Sequence, residues 1–188
     1  MGQKKKNQKN QNKPTKKEIE AKEKELKKKY FPLNLAKYVL FIIPIVYIIY
    51  LYTLTMAKGE KFYQPVLDDT RTTVMFVIAM LAFFSGAICK YAIKDLKEGK
   101  NITSNKVALN IIAIAQIVTG NIITSGLIWG GLYRIRKDKG VKFGSKEFLA
   151  ELKSGIVNII GAIIILLLVI LCIYFLSRVY TLNALLPQ

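Results

Sequence analysis

Few residues in this sequence could do chemistry, and their placement argues against most of it. There is no histidine among the 188 residues, and there are two cysteines, Cys89 and Cys172. Without histidine, the commonest general base and the commonest transition-metal ligand are both missing. Each cysteine falls inside an apolar run, where a thiol acts as a small buried hydrophobe rather than half of a disulfide or a metal ligand. The adjacent acids Asp68-Asp69, followed by Thr70 and Arg71, have the pattern of a helix start. A short carboxylate there accepts from free amide N–H groups and meets the positive end of the helix dipole. No phosphate loop, nucleophile elbow or metal-ligand spacing occurs. These residues predict a protein that is not an enzyme and that uses no cofactor or metal.

The remaining candidates are uncharged. Residues 107–133 read VALNIIAIAQIVTGNIITSGLIWGGLY, with amides and hydroxyls at Asn110, Gln116, Thr119, Asn121, Thr124 and Ser125. An amide in hydrocarbon must find a partner, so each marks either an interhelical hydrogen bond or a place where a solute or ion is held. Asn110, Gln116, Asn121 and Thr124 form the candidate intramembrane polar site; on a continuous helix Asn110 and Asn121 would share one side, flanked by Thr124. All twelve acids lie outside the long apolar runs. Proton-coupled transport and voltage sensing, which rely on intramembrane charge, are therefore disfavoured.

Apolar residues make up 52% of the chain, with mean hydropathy +0.30. They come in four blocks of 18 or more, at 35–56, 72–89, 107–133 and 155–177. Blocks of that length are transmembrane signatures. The expected fold is all-α: a polytopic integral membrane protein with four transmembrane helices in a membrane domain over 31–188, preceded by a basic tail over 1–30. A helix over 107–133 would reach about 40 Å, beyond the roughly 30 Å hydrocarbon core, so one crossing is the expectation. Thr119-Gly120-Asn121, near its centre, is where a helix could be interrupted. The rival arrangement is a re-entrant hairpin bent at Gly120, made of two half-helices shielded by protein.

Small residues predict how the helices meet. Ala79, Ala82, Gly86 and Cys89 recur at i, i+3, i+7 and i+10 down one face of the second span. Gly155, Asn158 and Ala162 form a patch on the last span, expected to face the third. Such strips let backbones approach where no hydrophobic effect drives association. They serve packing inside the chain or docking of a second protein or subunit.

Charge sets partners and orientation. The net charge is +17, and only four of the 29 basic residues are arginine. Residues 1–30 hold twelve lysines and four glutamates. The Lys/Gln/Asn-rich start is expected to be disordered, and Thr15 with Glu18 to cap a charged helix near the membrane surface. Pro32 and Asn34 are expected to separate that helix from the first span, and Pro44 to kink the span. Lys4, Lys5, Lys6, Lys27, Lys28 and Lys29 are expected to contact anionic lipid headgroups, at about 1 kcal/mol per lysine. An acidic protein or a nucleic acid, the ribosome included, is less favoured, because no arginine or aromatic precedes Tyr30 to read or stack bases.

The positive-inside rule puts the amino terminus in the cytoplasm, with the plasma membrane as the expected location. Residues 57–71 carry three basic and three acidic residues and belong outside, while 90–106, with five and two, belong inside. The Asn101-Ile102-Thr103 sequon is then cytoplasmic and silent. With four spans, residues 134–154 fall outside despite seven basic and three acidic residues, against the rule. A hairpin would return them to the cytoplasm. The expected function is a non-enzymatic accessory or scaffolding subunit that assembles through small-residue faces, with a membrane-protein partner or by self-association. The alternative is a small transporter or channel component using the polar face of the third run.

Overall fold

Two prolines fail to break the first helix. A computed structural model of the chain describes residues 16–59, 61–136 and 146–185, and every secondary-structure element among them is a helix. Helix α1 (Lys16–Lys58) runs for 43 residues through Pro32 and Pro44. The expected separation at Pro32 and Asn34 is thus not seen: the charged segment and the first apolar run are one helix. Proline removes the N–H that would pair with the carbonyl four residues back. The orphaned Lys28 carbonyl instead accepts from Arg134 Nη1 at 2.9 Å. Packing does the rest, since Tyr30, Leu33, Ala36 and Leu40 put one face of the helix into the core. Residues 1–15, with Thr15 and Lys4, Lys5 and Lys6, lie outside the described residues.

A short α2 (Gln64–Asp68) leads into α3 (Thr70–Glu98). Asp69 caps α3 as its sequence suggests. Its carboxylate accepts from the Arg71 and Thr72 N–H groups at 3.1 Å each and from the Thr72 hydroxyl at 2.6 Å. The Thr72 hydroxyl, helped by the two amides, holds the Asp69 carboxyl below the ordinary carboxylate range. At the other end Gly99 takes φ +71, the left-handed conformation glycine adopts most readily. The Lys100 N–H bonds the Asp95 carbonyl and the Gly99 N–H the Leu96 carbonyl, which ends the helix in a Schellman motif. Helices α1 and α3 run antiparallel. The Tyr47 hydroxyl donates to the Thr72 carbonyl at one end, the head, and the Tyr30 hydroxyl to the Leu96 carbonyl at the other, the foot.

The expected continuous helix over 107–133 is not formed. Helix α4 (Ile102–Val118) and helix α5 (Ile122–Arg134) are separate, joined by a turn at Thr119-Gly120-Asn121. Helix α4 starts at the foot, and α5 returns there, where Arg134 meets Lys28. Helix α6 (Lys146–Ser154) then leads into α7 (Ile156–Leu185). Helix α7 climbs from the foot to the head, where the Arg71 guanidinium lies 5.6 Å from the Tyr180 ring centroid. Only α1, α3 and α7 are long and apolar enough to cross a membrane among the described residues, so three candidate spans replace the four expected. At 17 residues, α4 is short for a crossing.

Two apolar cores hold the bundle. One joins α1, α3, α4 and α5 through residues such as Leu40, Ala92, Leu109, Ile112 and Ile128. The other joins α3, α4 and α7 through Val74, Leu81, Ala115, Ile165 and Val169. Helix α5 packs on α1 and α4. Its far side, with Ile122, Ile123, Trp129 and Tyr133, is exposed.

Candidate functional site

The polar residues of the interrupted run collect at the tip of the α4–α5 hairpin. The tip is built by a helix stop followed at once by a helix start. Gly120, at φ +79, lets the Asn121 N–H reach the Gln116 carbonyl and the Gly120 N–H the Ile117 carbonyl, at 2.8 Å each, a second Schellman ending. Asn121 then caps α5, its Oδ1 accepting from the Thr124 N–H at 3.3 Å. Its Nδ2 donates back to Gln116 Oε1 at 2.9 Å, which ties the two half-helices together. Gln116 Nε2 reaches Ser85 Oγ on α3 at 3.5 Å, and the Thr119 hydroxyl donates to the Gln116 carbonyl.

Beside this knot lies a cavity of about 110 Å³, lined by Ile43, Ile78, Leu81, Ala82, Gln116, Thr119, Asn121 and Val169. Its wall draws on the middle of all three long helices, so the tip sits halfway along the bundle. A space of this size and polarity can hold a few waters. The negative end of the α4 dipole and the positive end of the α5 dipole meet here and offset one another. The tip therefore presents neither a cation-binding nor an anion-binding pole.

A second polar cluster closes the foot. The amino terminus of α4 is capped from a distance: the Glu151 carboxylate of α6 accepts from the Thr103 N–H at 3.1 Å and the Thr103 hydroxyl at 2.6 Å. Asn101, in the left-handed region at φ +48, donates to Asp95, and its Oδ1 accepts from the Ser154 hydroxyl at 2.5 Å. Asn158 Nδ2 donates to Asn105 Oδ1 at 2.8 Å. Gly155 makes the approach of α7 possible, because a Cβ there would fall 2.6 Å from Ser104 Cβ.

Of the four candidate polar residues, three are brought together and one is not. Gln116, Asn121 and Thr124 share the tip. Asn110 is exposed and, among the described residues, donates only to the Lys106 carbonyl one turn back. The turn at Gly120 removes the common face that a continuous helix would have given Asn110 and Asn121. The small strip on α3 is buried against the chain itself: Ala79, Ala82 and Cys89 are 5% exposed or less, and a Cβ on Gly86 would lie 3.2 Å from Leu40 Cβ of α1. Gly155, Asn158 and Ala162 meet or lie beside α4. The described tail residues Lys27 and Lys28 are exposed, and Lys29 is half-buried. Both cysteines are free thiols and buried. Among the described residues, no group of three or more acids and cysteines is placed to hold a metal ion.

Sequence reasoning missed Ser85, Thr103, Asn105 and Glu151. Nothing local marks the Glu151–Thr103 bond, which joins residues 48 apart. It also missed Gly126 and Gly130, four residues apart on α5, over which a Cβ would meet nothing within 4 Å among the described residues. That spacing, the G-x-x-x-G of helix pairs, was visible in the sequence. No family model, characterised protein or solved structure matches this chain, so geometry alone carries the functional reading.

Proposed function

We propose that this chain is a non-enzymatic integral membrane protein with three full crossings and a re-entrant hairpin, acting as an accessory or scaffolding subunit that seats a partner helix on α5. Its place is the plasma membrane, with the foot of the bundle in the cytoplasm and the lysine tail against anionic lipid. Charge supports this orientation. The described part of the lysine-rich start (16–30), residues 90–106, and residues 134–136 and 146–154 together each carry more basic than acidic residues and belong to the foot, whereas 57–59 and 61–71, nearly balanced in charge, belong to the head. The positive-inside conflict of a four-span arrangement disappears.

The observation that carries the scaffold reading is the outer face of α5. Gly126 and Gly130 leave open space there between exposed Ile122, Ile123, Trp129 and Tyr133. Gly120, at the hairpin tip, is exposed as well. Interrupted backbone at membrane depth is tolerated where protein or a water-filled cavity covers it. A helix lying across the two glycines would cover both.

Purification in mild detergent tests this reading. A stoichiometric membrane partner, or a second copy, should be retained by the wild type and by Asn121→Leu, and lost when Gly126 and Gly130 are both leucine. A second reading is favoured by the cavity beside Gln116, Thr119 and Asn121, which would make the tip part of a path for a neutral solute. It reverses the ranking: solute flux into liposomes would survive the glycine substitutions and be abolished by Asn121→Leu. That result, with no retained partner, overturns the scaffold.

A further inference from the structure

We propose that the α1–α5 junction at the foot is a binding site for the phosphate of an anionic phospholipid, a built site distinct from the diffuse attraction of the tail. This rests on the membrane placement proposed above and is independent of what binds the outer face of α5. The site is a shallow groove of about 330 Å³ lined by Lys27, Lys28, Phe31 and Arg134. Three of its four lining residues are cationic, and none is acidic. No ion pair joins Lys27, Lys28 or Arg134 to a carboxylate among the described residues.

The geometry of Arg134 separates this groove from a random cluster of surface lysines. Pro32 strips the Lys28 carbonyl of its helical partner, and Arg134 Nη1 fills the vacancy at 2.9 Å. A guanidinium has five N–H donors in a rigid fork, so one bond to the carbonyl fixes its position and leaves others for a second acceptor. Phosphate oxygens match that fork, and the Lys27 and Lys28 ammonium groups add point charge alongside. Held in place before the ligand arrives, the arginine loses little freedom on binding.

The groove also lies where a lipid phosphate would be. Lys27 and Lys28 stand just before the apolar part of α1, and Arg134 ends the apolar part of α5. Phe31, 60% exposed, forms the apolar side of the groove, and Tyr133, 75% exposed, precedes Arg134 in the chain. Exposed aromatic side chains beside cations are characteristic of the headgroup level. A charged headgroup above and acyl chains below fit this mix better than a free anion, which has no use for the phenyl ring.

Native mass spectrometry of the full chain, offered equal phosphatidylglycerol and phosphatidylcholine with the same acyl chains, reads the site directly. The wild type should retain phosphatidylglycerol in preference by about thirtyfold, as two surface cations would supply. Substituting Arg134→Gln together with Lys28→Gln should bring retention to the phosphatidylcholine level, while Arg134→Lys should recover part of it. Deleting residues 2–13, or replacing Lys90→Gln and Lys94→Gln, should leave the preference intact. Equal loss on the Lys90/Lys94 substitutions, or on tail deletion, means diffuse attraction and overturns the site. Displacement of the lipid by millimolar inorganic phosphate also overturns it, in favour of a free anion. If Arg134→Gln elutes as an aggregate, Lys27→Gln with Lys28→Gln, which leaves the Arg134 bond to the Lys28 carbonyl in place, gives the same reading: an undiminished preference rejects the proposal.

Discussion

Helix α1 and the run 107–133 handle helix breakers in opposite ways. The first contains two prolines and stays whole for 43 residues; the second has none and turns back at a single glycine. Propensity alone would rank them the other way, since proline in a helix interior costs about 3 kcal/mol and glycine about 1. What decides is the fate of the freed backbone groups. At Pro32 a guanidinium from another helix takes the orphaned carbonyl, and a buried face continues on either side of the proline. At Gly120 the left-handed turn satisfies the end of α4, and Asn121 immediately starts α5. A breaker is a proposal that the surroundings accept or refuse.

The sharpest way to break that comparison is topological. In a cysteine-free background, a cysteine placed at Lys61 should react with an impermeant reagent added outside intact cells, and one at Lys139 should be protected. Labelling of both would mean that 107–133 crosses the membrane after all. Next in size is the seat of α5 on α1, where a Cβ on Gly131 would come within 2.4 Å of Leu33 Cγ. Gly131→Val should destabilise the protein in detergent unfolding by about 2 kcal/mol through overpacking, and Leu33→Ala should restore part of the loss.

Smaller effects belong to the turn itself. Gly120→Ala forces a side chain into the left-handed region, and Asn121→Ala removes the cap; each should cost about 1 kcal/mol in the same assay. Pro32→Ala should leave the helix content of α1 unchanged by circular dichroism, because that helix is already continuous. The smallest effect concerns Asp69. Since its folded carboxyl titrates below the ordinary range, the stabilisation is complete above the unfolded pKa and disappears as pH falls through the lower folded value. A stability profile against pH should show this acid-side loss in the wild type and lack that component in Asp69→Asn.

The apolar stretches of the three long helices were legible because continuous apolar length is a signal that needs no context, whereas the unbroken run of α1 through Pro32 was not. So was the Asp69 cap, which depends on residues two and three positions away. The turn was half-legible. Gly120 followed by Asn121, with Thr124 at the third helical position, is a stop signal joined to a start signal, yet it lies in 27 uncharged residues long enough to cross in one piece. The surplus of positive charge over 134–154 was the independent clue. The meeting of Gln116, Asn121 and Thr124 at the tip was not legible as geometry, because a straight helix would put Asn110 and Asn121 on one face and Gln116 on another. The foot was not legible: Glu151 and Thr103, or Asn158 and Asn105, find each other only once α6 and α7 are in place.

That last dependence has a consequence for the order of events during synthesis. Helices α1 and α3 can pair as soon as both have emerged, since their contacts come from the first hundred residues. Helix α4 then lacks the cap on its first turn, because the carboxylate that supplies it and the glycine that admits its neighbour are made some fifty residues later. A nascent chain stopped before Glu151 would therefore hold 107–133 without its foot bonds, long enough to thread straight through. The turn at Gly120 closes from its own residues, but the foot of the hairpin gains its last bonds only once α6 is in place.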